Sequence, residues 1–261
     1  MDRTNRVRAA LERDEPAFGA AVSTFSPTLV ESLGGTGLDF VWLDYEHDGP
    51  SPHDARLLND LSRAADAAGV ELLARLPGTD PHLVRKVLDA GVRNVLVPRV
   101  ETAAEVREAA RATRFDYDGK PGERGMAQGR VTRWGSDYED YVAEEDGNVT
   151  LGAMIESATA VKNVDDILDV PELGFAFVGP GDLSVSLGHP GEKDHPEVRE
   201  HVERIEAAVR DSDVALAGIR EDPDAVAAAV EEGYRLLRVG RDLGAVRSVF
   251  GGRVDAIDER L

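Results

Sequence analysis

Eight short apolar runs alternate with eight helix-like segments along the 261 residues, and this alternation restricts the fold more than any other feature. The strand-like runs are FGAAVS (18–23), DFVWLD (39–44), ELLARL (71–76), NVLVPRV (94–100), LGAMI (151–155), FAFVGPG (175–181), VALAGI (214–219) and YRLLRVG (234–240). DFVWLD is a β-branched and aromatic run that ends in a polar residue, as a strand reading favours. Helical spacing and stop signals fill the intervals. Residues 52–68 end at Gly69, and Asp80-Pro81 pairs an N-cap with proline at the first helical position. Thr102 and Glu105 form a capping box, and 158–168 carries apolar residues at 3-and-4 spacing. Shorter or later helices are expected over 28–33, 196–210, 223–232 and from Leu243 to the C-terminus. Such an alternation over about 250 residues has the strand count and size of a (β/α)8 TIM barrel. An open doubly wound sheet competes, but no glycine-rich fingerprint follows the first strand. The reading is a single barrel over residues 1–261, with one long excursion at about 115–148. Glycine-rich turns and the aromatics Trp134, Tyr138 and Tyr141 mark that excursion as an ordered cover.

Charge narrows the partners. Thirty basic residues face 50 acidic ones, for a net charge of −20, so phosphate-rich partners such as nucleic acid or an anionic membrane are disfavoured. Lysine occurs only at Lys86, Lys120, Lys162 and Lys193, and the acids are dispersed. A surface of this kind suits a high-salt cytoplasm. Stability is therefore expected to rise from about 0.1 M toward molar KCl as screening relieves self-repulsion. A melting temperature that stays flat or falls over that range is the contrary result. Cysteine is absent, which excludes disulfides and thiolate chemistry. No apolar run of about 18 residues and no signal peptide interrupts the cytoplasmic reading.

In a barrel, the residues just past the strand ends line the active site. Here they are Asp44, Glu46 and His47, then Arg75, Arg99, Glu156, Asp182, Arg241 and Asp242. Glu156 and Asp182 end two successive strands, so both reach one rim. Two such acids suit a divalent cation that prefers oxygen ligands, or else serve as helix caps. His47 follows a strand, with Asp44 three residues before it, an arrangement suited to proton transfer near neutral pH. Arg75 sits within an apolar strand and needs an anion, either Glu71 or Asp44 or a substrate carboxylate or enolate. The four lysines fall on helices or in loops remote from strand ends. Schiff-base chemistry is then closed, and a carbanion would need a metal.

Several stretches resemble the HpcH/HpaI aldolase family, metal-dependent class II pyruvate aldolases on the phosphoenolpyruvate/pyruvate barrel. They are FVWLDYEHDGPS, LARLPGTDP, KVLDAGVRNVLVPRVETAAEVREA, GERG, RVTRW, MIESATAVKNVDDIL, FVGPGDLSVSLG and HPEV, spread over about residues 17–245. The resemblance implies an aldehyde-lyase that reversibly cleaves a 4-hydroxy-2-oxo acid to pyruvate and an aldehyde. It implies Mg2+, Mn2+ or Co2+ on Glu156 and Asp182, chelated by the keto acid. Gly181 and Asp182 would hold the substrate carboxylate through backbone amides, Arg75 would face the enolate oxygen, and His47, oriented by Asp44, would manage protons. Asp89 would belong to a neighbouring subunit's site, the C-terminal helix would pack between subunits, and a homohexamer built from dimers is implied. Aldehyde specificity would lie in the loops, especially 115–148, and in contacts from other subunits. Many members carry glutamine where this chain has Met154, which removes a polar contact near the substrate. A citrate-lyase-like acyl-CoA lyase is the alternative, but added length and basic residues for coenzyme A are not evident. A non-catalytic barrel is disfavoured by the intact His47, Arg75, Glu156 and Asp182 set.

Overall fold

The computed structural model describes residues 4–135 and 141–261; Tyr138 lies outside them. Eight parallel strands close into a barrel: β1 Ala17–Ala21, β2 Phe40–Asp44, β3 Glu71–Arg75, β4 Asn94–Val97, β5 Thr150–Ile155, β6 Leu173–Val178, β7 Ala215–Ile219 and β8 Tyr234–Arg241. Each strand pairs with its neighbours in sequence, and β8 closes on β1 with Ala17 opposite Leu236. This is the (β/α)8 barrel expected from the alternation.

Alternate strand residues fill the interior, and they include Ala17, Phe40, Trp42, Leu73, Met154, Phe175, Phe177 and Leu236. Trp42 and Phe177 meet there with ring centroids 5.1 Å apart. Two glycines make room for rings. A methyl group on Gly19 would lie 2.3 Å from the Phe40 ring, and one on Gly152 would lie 2.2 Å from Phe175. Gly152→Ala is accordingly expected to destabilise the barrel by about 1–3 kcal/mol, the usual cost of overpacking. A urea midpoint equal to the wild type would contradict this packing.

Most helices start as the sequence reading expects. In α3 (Ala55–Ala68), Asp54 caps the start and Gly69 closes the end in the left-handed region. Asp80 caps α4 (Pro81–Asp89), and the Thr102–Glu105 capping box opens α5 (Ala103–Thr113). Besides Tyr141–Asn148 inside the long excursion, two helices were not foreseen. One is α1 (Arg6–Glu12), where Asn5 is the cap and also plugs the lower end of the barrel. Its Nδ2 donates to Asn94 Oδ1 at 2.9 Å and to Thr150 Oγ1 at 3.2 Å. The other lies between β6 and Pro196, at Pro180–Ser186, where Gly179, Pro180 and Gly181 mask a helix start. The 158–168 helix divides at Asn163, whose side chain donates to Glu101 O at 2.8 Å.

The described part of the excursion is ordered, but it does not cover the mouth of this barrel. It joins a helix to the following strand, so it lies where the strands begin. Arg130 reaches Ser62 and Asp66 on α3, and Arg85 on α4 donates to Glu123 O. Inside it, Glu145 accepts from Arg93 at 3.0 Å and from Arg124 at 2.8 Å, with all three groups nearly or fully buried. Tyr141 is buried against Phe115, whereas Trp134 is exposed. The last helix, Asp242–Asp258, buries none of its residues and exposes Val246, Val249, Phe250, Val254 and Ile257. Among the described residues, no helix is long and apolar enough to cross a membrane.

Candidate active site at the carboxyl end of the barrel

The interior rows continue upward from apolar to charged side chains. Asp44 lies two residues beyond Trp42, Arg75 two beyond Leu73, Glu156 two beyond Met154 and Arg238 two beyond Leu236. Asp44 and Arg75 are also register partners on adjacent strands. Their fork-to-fork pair joins Arg75 Nε to Asp44 Oδ1 at 2.9 Å and Nη2 to Oδ2. Arg75 Nη1 stands 2.9 Å from Glu46 Oε2 and 3.7 Å from Met154 Sδ, and its guanidinium lies over the Trp42 ring at 5.7 Å. The Glu46 contact is an ion pair without hydrogen-bond alignment. Burial would raise the Asp44 carboxyl, but Arg75 outweighs it and holds the group below the usual carboxylate range. Burial leaves Glu46 raised despite the same arginine.

Glu156 is a carboxyl far from its ordinary behaviour. It is 3% exposed, and burial pushes its carboxyl up to about 7, with Asp182 and Glu46 acting in the same direction. Oε1 accepts the Arg99 N–H at 2.7 Å, which Arg99 presents from a left-handed backbone at φ 54°. Oε2 is buried and, among the described residues, has no hydrogen-bond partner. A methyl on Gly179 would fall 2.8 Å from it, so glycine keeps that space open. Asp182 sits on the first turn of the Pro180–Ser186 helix and lines the same cavity of about 510 Å3, together with Arg75, Glu156 and Gly181. A second cavity, about 470 Å3, lies at the opposite end, where the strands start, and includes none of these groups. An orphaned buried carboxylate oxygen beside a second acid fits a hard divalent cation.

Other sequence expectations fare differently. The imidazole of His47 is 60% exposed and lies 3.5 Å from Glu46, not against Asp44. Asp44 Oδ1 instead accepts the backbone N–H groups of Glu46 (3.1 Å) and His47 (3.2 Å), because its carboxylate is turned toward Arg75. Arg99 contributes its backbone. Asp242 ties down Ser23 and Thr24, and Arg241 reaches Asp48. Asp89, the last residue of α4, stands outside the cavity with its carboxyl raised by burial. Lys193 corrects the argument from elimination. It lines the cavity, with Cε 3.7 Å from where a Gly181 methyl would lie, so a lysine does reach the mouth. Arg220 and Arg238, which also line it, were missed; the two-residue step from Leu236 was the signal for Arg238. Elsewhere, His189, His195 and Glu197 cluster near the start of Pro196–Arg210. Their imidazoles stack at 3.5 Å and 19°, so the in-plane lone pairs run nearly parallel instead of converging on one ion.

The family model for the HpcH/HpaI aldolase/citrate lyase group matches residues 18–248. The chain belongs to this family. Relatives of the chain include a hydroxypyruvate/pyruvate aldolase of Roseobacter denitrificans, 31% identical over 92% of this chain and 91% of that protein. A 2-keto-3-deoxy-L-rhamnonate aldolase of Escherichia coli is 32% identical over 99% of this chain and 92% of its own length. Among solved structures, an HpcH/HpaI family protein from Burkholderia cenocepacia superposes with a TM-score of 0.90 at 33% identity, covering 98% of this chain and all of the other.

Proposed function

We propose that this family member is a class II pyruvate aldolase, reversibly cleaving a 4-hydroxy-2-oxo acid to pyruvate and an aldehyde. The reading is carried by the orphaned oxygen of Glu156, buried beside Asp182 in the cavity that holds the Arg75–Asp44 pair. Relatives named as pyruvate and keto-acid aldolases support it.

Glu156 and Asp182 would hold the divalent ion, Mg2+, Mn2+ or Co2+, whose Lewis acidity lowers the cost of negative charge on the 2-oxo oxygen. Gly181 and Asp182 carry first-turn N–H groups that suit the keto-acid carboxylate. Arg75 is held rigid by Asp44 and Glu46, and its guanidinium stabilises the enolate without having to reorganise. His47, exposed at the mouth beside Glu46, takes the proton of the 4-hydroxyl in cleavage and returns it in condensation. Met154 Sδ near Arg75 leaves the guanidinium without a competing amide at that edge. The unburied apolar face of the last helix and the remote Asp89 support assembly of several copies, with a trimer of dimers as the proposed form.

Incubation with EDTA is expected to abolish turnover of pyruvate with an aldehyde, and Mn2+, Mg2+ or Co2+ to restore it. Undiminished activity in metal-free protein would refute the reading.

A further inference from the structure

Arg238 enters the cavity from β8 much as Arg75 enters from β3, but its surroundings are not alike. Arg75 has two acids, Asp44 and Glu46, against its guanidinium. Arg238 is only 13% exposed, yet its Nε is buried without a hydrogen-bond partner among the described residues. Its one ion-pair partner among those residues is Glu221, 3.4 Å away and itself 54% exposed on the rim, with Asp44 acting on it only through space. That contact is long for a charge-assisted hydrogen bond, and it uses one of the five N–H donors of a guanidinium. Beside it, Arg220 is fixed at the end of β7. It stacks over Tyr234 at 4.9 Å and donates to the Tyr234 hydroxyl at 3.3 Å, which in turn donates to Glu206 at 2.6 Å. Arg238 is thus paired by one rim acid, with the Arg220 cation anchored on the neighbouring strand end, in a chain where acids outnumber bases 50 to 30. A buried guanidinium with open donors is costly unless an anion completes it.

We propose that Arg238, assisted by Arg220, forms a second anion subsite that receives a terminal anion on the aldehyde half of the substrate. The inference rests on the aldolase reading of the same cavity. The metal acids follow β5 and β6, whereas these arginines come from β7 and β8. All four groups line one cavity, so the subsite takes the far end of a keto acid held at Glu156 and Asp182. The ligand chemistry is a carboxylate or a phosphate monoester, and Arg238 acts as a specificity-determining residue without touching the reacting atoms.

The test uses the metal-loaded enzyme, pyruvate and four aldehydes: 4-oxobutanoate, its methyl ester, glyceraldehyde and glyceraldehyde 3-phosphate. Wild type is expected to favour at least one anionic aldehyde over its neutral counterpart by about 10²-fold in kcat/KM, the scale of hydrogen bonds to a charged group. Which anion gains identifies carboxylate or phosphate. Arg238→Met should lose that preference while keeping the neutral rate within about threefold, and Arg238→Lys should recover part of it. Exchange of pyruvate methyl protons in heavy water, which needs no aldehyde, should be unchanged in both variants. Equal use of charged and neutral aldehydes by wild type would overturn the proposal without needing any variant to fold. So would an Arg238→Met enzyme slowed alike on both. Absence of pyruvate exchange in wild type would instead overturn the aldolase reading, and the subsite with it.

Discussion

Glu156→Gln is expected to reduce turnover by at least about 10³-fold while leaving the barrel folded, because it removes an anionic ligand and little else. The amide oxygen can still accept the Arg99 N–H that Oε1 now accepts at 2.7 Å. At the Oε2 position an amide would place a donor where a cation needs an acceptor. The same group governs a pH effect. Its carboxyl is raised from 4.5 to about 7 in the fold, so the folded chain binds the proton more tightly than the unfolded chain does. Metal-free protein should then be most stable below about pH 4.5 with respect to this group, and lose about 3 kcal/mol as pH rises through about 7. The Gln variant should lack that loss. Metal binding at pH 6 should release close to one proton from wild type, and at pH 8 almost none. Calorimetry in buffers of different ionisation enthalpy measures this directly. Equal release at both pH values would rule out Glu156 as the titrating ligand.

Much of the barrel was legible because strand and helix periods differ and glycine, proline and capping residues mark the boundaries. The Thr102–Glu105 box and the Asp80-Pro81 start are local signals, and both formed as expected. The rim acids were legible for a related reason, since a residue ending a parallel strand must reach one end of the barrel. What failed was inference from composition where topology decides. The 115–148 segment looks like a cover by its glycines and aromatics, but a helix-to-strand connection in this fold belongs to the opposite end. Lys193 was dismissed by its distance from any strand in sequence, and the chain following Pro180–Ser186 brings it back to the mouth. His47 and Asp44 are close in sequence, yet the aspartate binds backbone N–H groups and Arg75. Register, not spacing, chose that partner, because Asp44 and Arg75 stand opposite each other on β2 and β3.

The same pair sets the second large effect. Arg75 has a structural duty, since it neutralises Asp44 and Glu46, and a proposed chemical one at the enolate oxygen. Removing it outright confounds the two. Arg75→Ala would leave two partly buried carboxylates unpaired, and breaking a buried pair from one side typically costs about 3–5 kcal/mol. Arg75→Lys keeps the charge near Asp44 but cannot bridge both of its oxygens while also directing N–H groups into the cavity. If the guanidinium stabilises developing negative charge, the lysine variant should fold near wild-type stability and exchange pyruvate methyl protons about 10²–10³-fold more slowly. Pairing Arg75→Met with Asp44→Asn keeps a similar bulk and should be slowed at least as much, because it removes the cation without leaving Asp44 charged and unpaired, with Glu46 the one acid that loses its partner. A lysine variant that exchanged at the wild-type rate would reduce Arg75 to a salt bridge holding the β2 and β3 ends together. Slow exchange with unchanged pyruvate binding would place its contribution where charge moves onto the 2-oxo oxygen, since an interaction made only in the transition state lowers the rate without weakening the ground-state complex.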